Sequence, residues 1–385
     1  MRPQIEVTID GNPVAGAFYE RLVSITVTDK DEADADTVDI ELHDGPPSFL
    51  AIPRKGAIID VRLGYGTLRS LGKFTVDKVS VKCLPYSMSI SGKSADLRKG
   101  KLKERQERSW DNKKLKDIVG ELAQENGLTP AIDSEIGDFE YPWLAQQDEQ
   151  GFQFLYRLAE RHSALFNIKN GRLIFAKRGS GNSAAGTFVG SVVVTPPVIV
   201  EGSCNFEAND RTKYSKVVAY YQDSDTAKRV EIEAEGDEDG DSVFRIPEPF
   251  ANVEEADKAA QARAKDLKRG EGAASVTVIG DTAIAAGAPL LFSGVRPGLD
   301  GAPYIIDTAT HTFSKGEGYR TQISAKLYDG KSGGSSNGAA GSGGETSNDN
   351  DPTSGSTPAA NAPPGTPATP NLWNQTRRYG LTDAN

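Results

Sequence analysis

The chain has 385 residues, a net charge of −10 and a hydrophobic content of 37%. This length can hold two or three domains with sizeable cores, and the acidic balance excludes general nucleic-acid binding, which needs a basic surface. The two cysteines, Cys83 and Cys204, have no metal or redox spacing and do not form a disulfide scaffold. The N-terminus lacks the apolar core of a signal peptide, and no apolar run approaches the roughly 18 residues of a membrane span, so we expect no cleaved signal and no membrane insertion.

Residues 1–97 alternate apolar and polar positions in short runs that turn residues separate. The runs are IEVTI, LVSITVT, TVDIEL, AIIDVRL, FTVDKVSV and YSMSIS. Because alternate residues of a strand face opposite sides of a sheet, a two-residue period without a helical segment predicts an antiparallel sandwich or barrel. We therefore predict a first barrel-like β-domain over 1–97.

Residues 98–180 are predicted to form a small α+β domain. A basic stretch over 98–116 opens it, and a helix is expected with Ser109 as its N-cap and Gly127 as its stop. The expected inner face is apolar and consists of Leu115, Ile118, Val119, Leu122 and Ala123. A linker that contains Tyr141, Pro142 and Trp143 is then expected to lead to Asp148.

Asp148 is expected to cap a second helix that leads directly into a hairpin. The predicted inner face of this helix consists of Phe152, Leu155, Tyr156, Ala159 and His162. The strands LFNIK and RLIFA follow, joined by Asn170-Gly171. This pair tolerates the positive φ that a type I′ turn requires, so it predicts a tight β-hairpin.

Residues 181–330 return to strand patterns and predict a second barrel-like β-domain with one helix over 253–269. Asn252 and Glu255 have the spacing of a capping box, and Gly270 is expected to end the helix. The predicted inner face has small side chains, which favour a close approach to a sheet. Its members are Ala256, Ala260, Ala264 and Leu267.

A weak internal repeat relates the two β-regions. Tyr86 to Lys93 resembles Tyr319 to Lys326, and the pairs Gly56-Ala57 and Val76-Asp77 have counterparts in Gly287-Ala288 and Ile306-Asp307. The separation stays between 230 residues (77 to 307) and 233 residues (86 to 319). A constant offset is typical of a duplicated domain. Chance similarity between two Gly-punctuated sets of strands is the alternative.

Residues 331–371 consist almost entirely of Gly, Ser, Pro, Thr, Ala and Asn. Such a composition cannot offset its ordering entropy by burying apolar area, and it predicts a flexible tether. Residues 372–385 follow, with Leu372, Trp373, Tyr379 and Leu381. They are interpreted as a docking peptide, with a frayed terminus as the alternative.

The sequence predicts no catalytic, cofactor-binding or metal-binding residue. His43, His162 and His311 lack the spacing of metal ligands, and Ser70-Leu-Gly-Lys73 lacks the helix start that a Ser-x-x-Lys nucleophile needs. Gly270 to Ser275 resembles a dinucleotide loop but follows a helix.

Two charged stretches are likewise interpreted without a ligand. Asp237, Asp239, Asp241 and Glu248 match a calcium loop, yet Ser242 stands where such a loop requires Gly, and an acidic hairpin tip is expected. The basic stretch over 98–116 contains Glu104, Glu107 and Asp111, which favours a solvated helix face or a charged subunit contact over a polyanion site.

Six segments in order resemble the phage late-control gene D proteins, the tail hub proteins of contractile phage tails, which are related to the hub part of VgrG spikes. The segments are VTIDG with SITVTDKDEADADTVDIELHD, KGAIIDVRLGY with LGKFTVDKVSV, SWDNKKLKDIVGELAQENGL, LAQQDEQGFQFLYRLAERHSALFNIKNGRLIFA, VEEADKAAQARAKDLKRG and DTATHTFSKGEGYRTQI. The chain departs from the family at Glu149-Gln150-Gly151, where members often carry Glu-Ser, and the tail beyond 330 has no counterpart in the common pattern.

The resemblance implies two barrel-like β-domains flanking a small α+β domain, assembled as a homotrimer with a pseudo-sixfold ring. It implies a non-enzymatic virion protein of the baseplate, made and assembled in the host cytoplasm. Its partners would be the tail tube protein, the spike protein and other baseplate and tape-measure components. DNA would pass through the ring without sequence-specific binding.

Three alternatives stay open. The first is a hub of a phage-like secretion or toxin-delivery particle, which neighbouring genes would separate from a phage. The second is a tail-associated cell-wall hydrolase, which the absence of a paired-acid or His-based constellation disfavours. The third is a carbohydrate-binding module, which needs exposed aromatic side chains on one sheet face.

Overall fold

The computed structural model describes residues 2–31, 35–94, 101–178, 190–209, 212–223 and 228–328, which form a mainly β molecule. The predicted tether (331–371) and docking peptide (372–385) lie outside these residues. Within the described ranges, no helix is long and apolar enough to cross a membrane.

The first β-region contains seven strands and one short helix. They are β1 (Gln4–Ile9), β2 (Asn12–Pro13), α1 (Gly16–Arg21), β3 (Leu22–Lys30), β4 (Thr37–His43), β5 (Ile58–Gly64), β6 (Arg69–Lys82) and β7 (Ser87–Lys93). The alternation read from the sequence is present: in β4, Val38, Ile40 and Leu42 are buried and the residues between them are more exposed. The inward-facing side chains of these strands form one hydrophobic cluster.

The middle region, from β8 to β12, has its own hydrophobic cluster. Its elements are β8 (Arg105–Lys114), α2 (Leu115–Glu125), β9 (Thr129–Ile132), α3 (Ser134–Gly137), β10 (Glu140–Gln150), α4 (Gly151–Arg161), β11 (Ala164–Lys169) and β12 (Arg172–Lys177). Strands β8 and β10 form an antiparallel pair, and β12 lies between β11 and β9 in a three-stranded sheet. The predicted inner face of α2 is buried in full, and Gly127 follows its C-cap with φ +67°.

Two helix starts predicted for the middle region are wrong. Ser109 lies in β8, opposite Ala145, and α2 begins six residues later. The segment predicted as a linker therefore forms strand β10. The physical reason is that β8 is nearly all polar and buries only Trp110, so its two-residue period is invisible in the sequence. Asp148 does not cap α4, because it lies at the β10 bulge with φ +45° while Gln150 holds the N-cap position.

The buried face of α4 is rotated about the helix axis relative to the predicted inner face. Leu155 and Ala159 are buried as expected, but Phe154 and Leu158 are the other core residues of the helix. Phe152 and Tyr156 are only partly buried at the margin of the cluster. His162 is the C-cap residue of the helix.

The second β-region is interrupted by an insert that the sequence did not separate from it. The β-region consists of β13 (Val192–Val194), β14 (Asn205–Ala208), β18 (Gly272–Ile279), β19 (Pro289–Phe292), β20 (Tyr304–Ser314) and β21 (Gly318–Leu327). The insert lies between β14 and β18 and consists of β15 (Lys216–Gln222), β16 (Arg229–Glu235), β17 (Val243–Phe250) and α5 (Val253–Arg269). The β-region and the insert have separate hydrophobic clusters.

The helix predicted over 253–269 matches α5 from end to end. The Asn252 side chain accepts a hydrogen bond of 2.8 Å from the backbone N–H of Glu255, and Gly270 is the C-cap. Ala256 and Ala260 are fully buried against the insert sheet, and Leu267 packs at its margin. The small side chains thus allow the close approach that the sequence indicated.

Both β-regions belong to one 13-stranded sheet. Its main path runs β14-β18-β21-β20-β3-β4-β7-β6-β5-β1-β2, and β13 and β19 pair off this path. Where the sequence suggested two β-domains set apart by the middle region, the strands of both are hydrogen-bonded to each other. Strands β3 and β20, nearly 300 residues apart in the numbering, are the neighbours that connect them.

The hairpin at Asn170-Gly171 is confirmed, with φ +52° and +73° at the two turn residues. We predict that Gly171→Ala destabilises the protein by about 1 kcal/mol, because an alanine resists positive φ. The matched control is Gly120→Ala inside α2, where an added Cβ also meets open space. There alanine should stabilise the helix by up to about 1 kcal/mol. Chemical denaturation measures both, and equal effects of the two substitutions would contradict this account of the turn.

Candidate functional site: the strand junction and two open sheet edges

The junction between the β-regions is an antiparallel pairing of Ser24–Lys30 in β3 with Thr308–Ser314 in β20. The hydroxyl oxygens of Thr26 and Thr312 lie 3.5 Å apart across it. The junction is made by backbone hydrogen bonds and by side chains from both regions, and it fixes the two regions in one sheet.

His311 lies in the middle of this junction, opposite Val27, and is 2% exposed. Its Nε2 lies 3.0 Å from the carbonyl oxygen of Ile284, which can only accept, so Nε2 carries the proton. Its Nδ1 then accepts from the hydroxyl of Tyr319 at 2.8 Å, with the hydroxyl of Thr321 at 3.1 Å. Burial lowers the pKa of His311, which matches a neutral, structurally bonded imidazole.

An ion cluster beside the junction connects the first β-region to the middle region. Lys169 of β11 bonds Asp29 and lies 3.2 Å from Asp36, and the side-chain amide of Asn167 donates to Asp36 at 3.3 Å. Asp29 also accepts from the backbone N–H of Ala286 in the second β-region, at 3.1 Å. Asp29 therefore contacts all three parts of the chain.

A second buried acid connects the first β-region to the insert. Asp31 is 1% exposed. It lies 3.3 Å from Arg178, which follows β12, and 3.7 Å from Arg269, which ends α5. Both arginines also approach Asp266 of α5, at 3.9 and 3.7 Å. Buried charges are tolerated only when they are paired, so these contacts fix how the regions sit against each other.

Two buried acids of these clusters, Asp36 and Asp31, have pKa values above the usual value of an aspartate. Burial raises the pKa of Asp36 to about 6; Lys169 acts against this rise, and the neighbouring Asp29 adds to it. Burial likewise raises the pKa of Asp31 against the opposing effect of Arg178. Burial acts to lower the pKa of Lys169, but Asp29 and Asp36 outweigh it and raise that pKa above its usual value.

The internal repeat has a structural counterpart in hydrogen bonds and bulges. The N–H of Gly56, at φ +86°, donates to the carbonyl of Val76 at 2.9 Å, and the N–H of Gly287, at φ +80°, donates to Ile306 at 2.7 Å. The β6–β7 ladder has its bulge just after Val76, and the β20–β21 ladder has its bulge just after Ile306. Strand order β4-β7-β6-β5 in the first region matches β18-β21-β20-β19 in the second.

The repeat leaves two strand edges without a neighbour. Among the strands that the structure describes, β14 pairs only with β18, and the second half of β6 (78–82) pairs only with β7. The β6 edge carries Val81, which is 43% exposed, and the following turn carries Leu84, which is 81% exposed. Unpaired edges with apolar side chains are surfaces on which another strand can add.

The comparison with known families now identifies the chain. The model of the phage tail baseplate hub (GPD) family matches residues 66–317, well over half of the sequence. The chain belongs to this family. The matched range contains the middle region, the insert, most of the second β-region and strands β6 and β7 of the first, so it includes the complete β6 and β14 edges.

Known proteins that are similar to this hub-family chain align with nearly all of its folded length. A protein of Escherichia phage P2 named "Probable baseplate hub protein" is 28% identical over 85% of this chain and 94% of its own. The 43 kDa tail protein of prophage MuSo2 from Shewanella oneidensis has the same fold, with a TM-score of 0.64 at 17% identity, and covers 84% of this chain and 98% of its own. The E. coli protein c3393, a component of the type VI secretion system, has a TM-score of 0.50 at 14% identity, over 84% and 77% of the two chains.

The other residues that the sequence offered as candidates for a catalytic or metal site lie apart from one another in the fold. His43 is exposed at the end of β4, and the half-buried His162 has its Nε2 2.7 Å from the hydroxyl oxygen of Tyr141, within hydrogen-bond distance. Ser70 donates to Asp60 at 2.6 Å within the first β-region. Cys83 is exposed and Cys204 is partly buried. In the described ranges, no group of three or more His, Cys, Asp or Glu side chains has the arrangement of a metal site.

The charged stretches also have structural places. The acidic run forms a turn in which Asp237 accepts from the backbone N–H of Asp239 at 2.8 Å, and Glu248 lies in β17. Part of the basic stretch forms β8, where Arg108 pairs with Glu125 at 2.9 Å and Arg105 with Asp148 at 3.2 Å. Residues 98–100 lie outside the described ranges.

Sequence reasoning missed the junction and its ion cluster. No short-range pattern relates Asp29, Lys169 and Ala286, because they meet only when three regions have packed. The one available signal was the repeat itself, which indicated two similar sets of strands but not that they share a sheet.

We predict that Asp36 makes stability depend on pH. Its pKa is about 6 in the folded chain against a usual 3.8, so its stabilising contribution is complete below about pH 4 and is lost as the pH rises through 6. Relative to Asp36→Asn, the wild type should lose about 3 kcal/mol of unfolding free energy across this window. Urea denaturation at a series of pH values measures the difference. The exposed Asp39→Asn controls for removal of a negative charge, and parallel pH curves for wild type and Asp36→Asn would contradict the assignment.

Proposed function

We propose that this baseplate hub protein assembles as a homotrimer whose six β-regions form a pseudo-sixfold ring. The observation that carries the proposal is that each chain contains two β-regions of the same strand order within one sheet. Three such chains supply six similar units. A ring of this kind can contact a sixfold tail tube on one side and a threefold spike on the other, which a ring of three unlike units cannot do.

The partners follow from this symmetry and from the family. The tail tube protein would bind one face of the ring and the spike protein the other, with further baseplate and tape-measure components around them. The ion clusters at Asp29 and Asp31 support a rigid adapter, because they fix the middle region and the insert against the sheet.

DNA passage through the ring needs a lumen that does not retain a polyanion. The net charge of −10 suits this role, since strong non-specific DNA binding depends on lysine and arginine that replace phosphate counterions. The proposed ring therefore acts as a conduit and has no catalytic role. Assembly in the host cytoplasm would precede incorporation into the virion.

The likeness to a type VI secretion component favours one second candidate, a hub of a phage-like secretion or toxin-delivery particle. At 14% identity this likeness concerns the fold alone. The two candidates share the ring and differ in what passes through it. Capsid and terminase genes beside the gene for this chain would support the phage, and their absence would support the secretion particle.

Native mass spectrometry of the full chain tests the proposal. We expect a species of three times 41.1 kDa, alone or after co-expression with the spike protein encoded nearby. A chain that stays monomeric at high concentration, both alone and with the spike protein, would overturn the ring. A stable dimer would also contradict it, because a twofold assembly cannot present six equivalent β-regions around one axis.

A further inference from the structure

We propose that β14 of one copy pairs antiparallel with the second half of β6 in the next copy, in a register that sets Phe206 opposite Val81 and Cys204 opposite Cys83. This inference rests on the proposed ring and adds to it the contact that closes the ring. The register comes from the junction inside the chain, where β3 and β20 make the corresponding pairing.

Strand β6 of the first β-region corresponds to β20 of the second. Val76 and Ile306 are equivalent, because each accepts a hydrogen bond from a positive-φ glycine and each directly precedes a bulge. Val76 faces Gly92 of β7, and Ile306 faces Ala325 of β21. All four residues are buried, so the same sides of the strands face the two cores.

The correspondence continues across the next strands of each region. The partner of Gly92 in β4 is Val38, and the partner of Ala325 in β18 is Ala274; both are buried. Val38 in turn faces Val27 of β3, and Ala274 faces Phe206 of β14. Strand β14 therefore occupies in the second region the place that β3 has in the first. Unlike β3, β14 has no partner on its outer side among the described strands.

The register of the internal junction between β3 and β20 applies to the proposed pairing of β14 with β6. In that junction, Val27 lies opposite His311. Phe206 is the equivalent of Val27. Val81 is the equivalent of His311, because these two residues are as far apart in the sequence as Val76 and Ile306. Phe206 of one copy is thus placed opposite Val81 of the next.

Two residues further along, the same register brings the two cysteines together. Ile25 lies opposite Phe313 in the internal junction. The equivalents are Cys204, one residue before β14, and Cys83, one residue after β6. These are the only cysteines of the chain. Directly opposed residues of an antiparallel pair have Cα atoms about 4.5–5.5 Å apart, which is the separation that a disulfide bridges.

Exposure of equivalent residues supports a missing neighbour at this edge. His311 is 2% exposed and its equivalent Val81 is 43% exposed, although the strands match elsewhere. Cys204 and Phe206 pack only partly against the second core, while Ile25 and Val27 are fully covered in the first. Direct pairing of β14 with β6 of the next copy would cover these side chains, which the described part of one chain leaves exposed or half-buried.

The β14 and β6 edges of one chain do not pair with each other, and the proposed partner of each edge is therefore a second copy. In the sheet order, six strands separate β14 from β6, so roughly 30 Å of sheet lies between the two edges. The contact joins two different surfaces, head to tail, and such contacts form a closed ring when the rotation between copies closes. Three copies would close a sheet that has no free β14 edge and no free β6 edge.

Thiol oxidation of the full-length assembly tests the register. Diamide accepts two electrons and two protons from a pair of thiols at its N=N bond, which becomes a hydrazine while the S–S bond forms. We expect non-reducing electrophoresis to show covalent dimer and trimer for the wild type. Neither Cys83→Ser nor Cys204→Ser alone should crosslink, because each removes one partner from every contact.

Co-expression of the two single variants sharpens the test. A chain that keeps Cys204 can join only a chain that keeps Cys83, so mixed assemblies should yield covalent dimers and no covalent trimer. Crosslinking of either variant by itself would mean that like edges meet, and it would overturn the register. A native trimer without any crosslink would also overturn the register while leaving the proposed function intact, whereas a monomer would overturn both.

Charge placed on the edge gives a second, independent readout. Val81→Glu should weaken the assembly by at least tenfold in its dissociation constant, because it sets a carboxylate opposite Phe206. The control is Val243→Glu in the insert, since Val243 is 40% exposed and lies opposite Lys216. Analytical ultracentrifugation should show wild-type association for the control, and melting curves should show both variants folded. Equal association of the two variants would contradict the proposed edge.

Discussion

The pairing of β3 with β20 is the contact on which the rest of the structure depends. It turns two sets of strands with separate cores into one sheet, and it does so with backbone hydrogen bonds that any sequence could form. Side chains supply the specificity: His311 is bonded on both ring nitrogens within the junction, and the ring of Tyr65 stacks on that of Tyr319 at 6.0 Å between centroids. A slip by one residue would turn these side chains to the opposite face.

The ion clusters fix the remaining parts of the chain against that sheet. Asp29 and Asp31 both lie near the end of β3, so the strand that forms the junction also holds the middle region through Lys169 and the insert through Arg269. Buried ion pairs contribute little net stability, because desolvation offsets much of their attraction. Their consequence is a defined geometry, which the proposed adapter between a tube and a spike requires.

Local features of the fold were predictable from the sequence, and features made by distant partners were not. The Asn170-Gly171 turn, the ends of α5 and the inner face of α2 depend on residues a few positions apart, and they were predicted correctly. The strand β8 was not, because its polar sequence has no period and its conformation is imposed by β10. The insert was hidden for a similar reason, since its strands resemble those that flank it. The open edges needed the full strand order.

Equivalent strand edges are proposed to close the sheet between copies as they do within one chain. Electron cryomicroscopy of the purified full-length assembly would make these edges visible. We expect a threefold ring in which β14 of each copy continues into β6 of the next, so that six similar sheet segments follow one another around the axis. A threefold particle whose β14 and β6 edges both face solvent, or a particle in which like edges meet across a twofold axis, would contradict it.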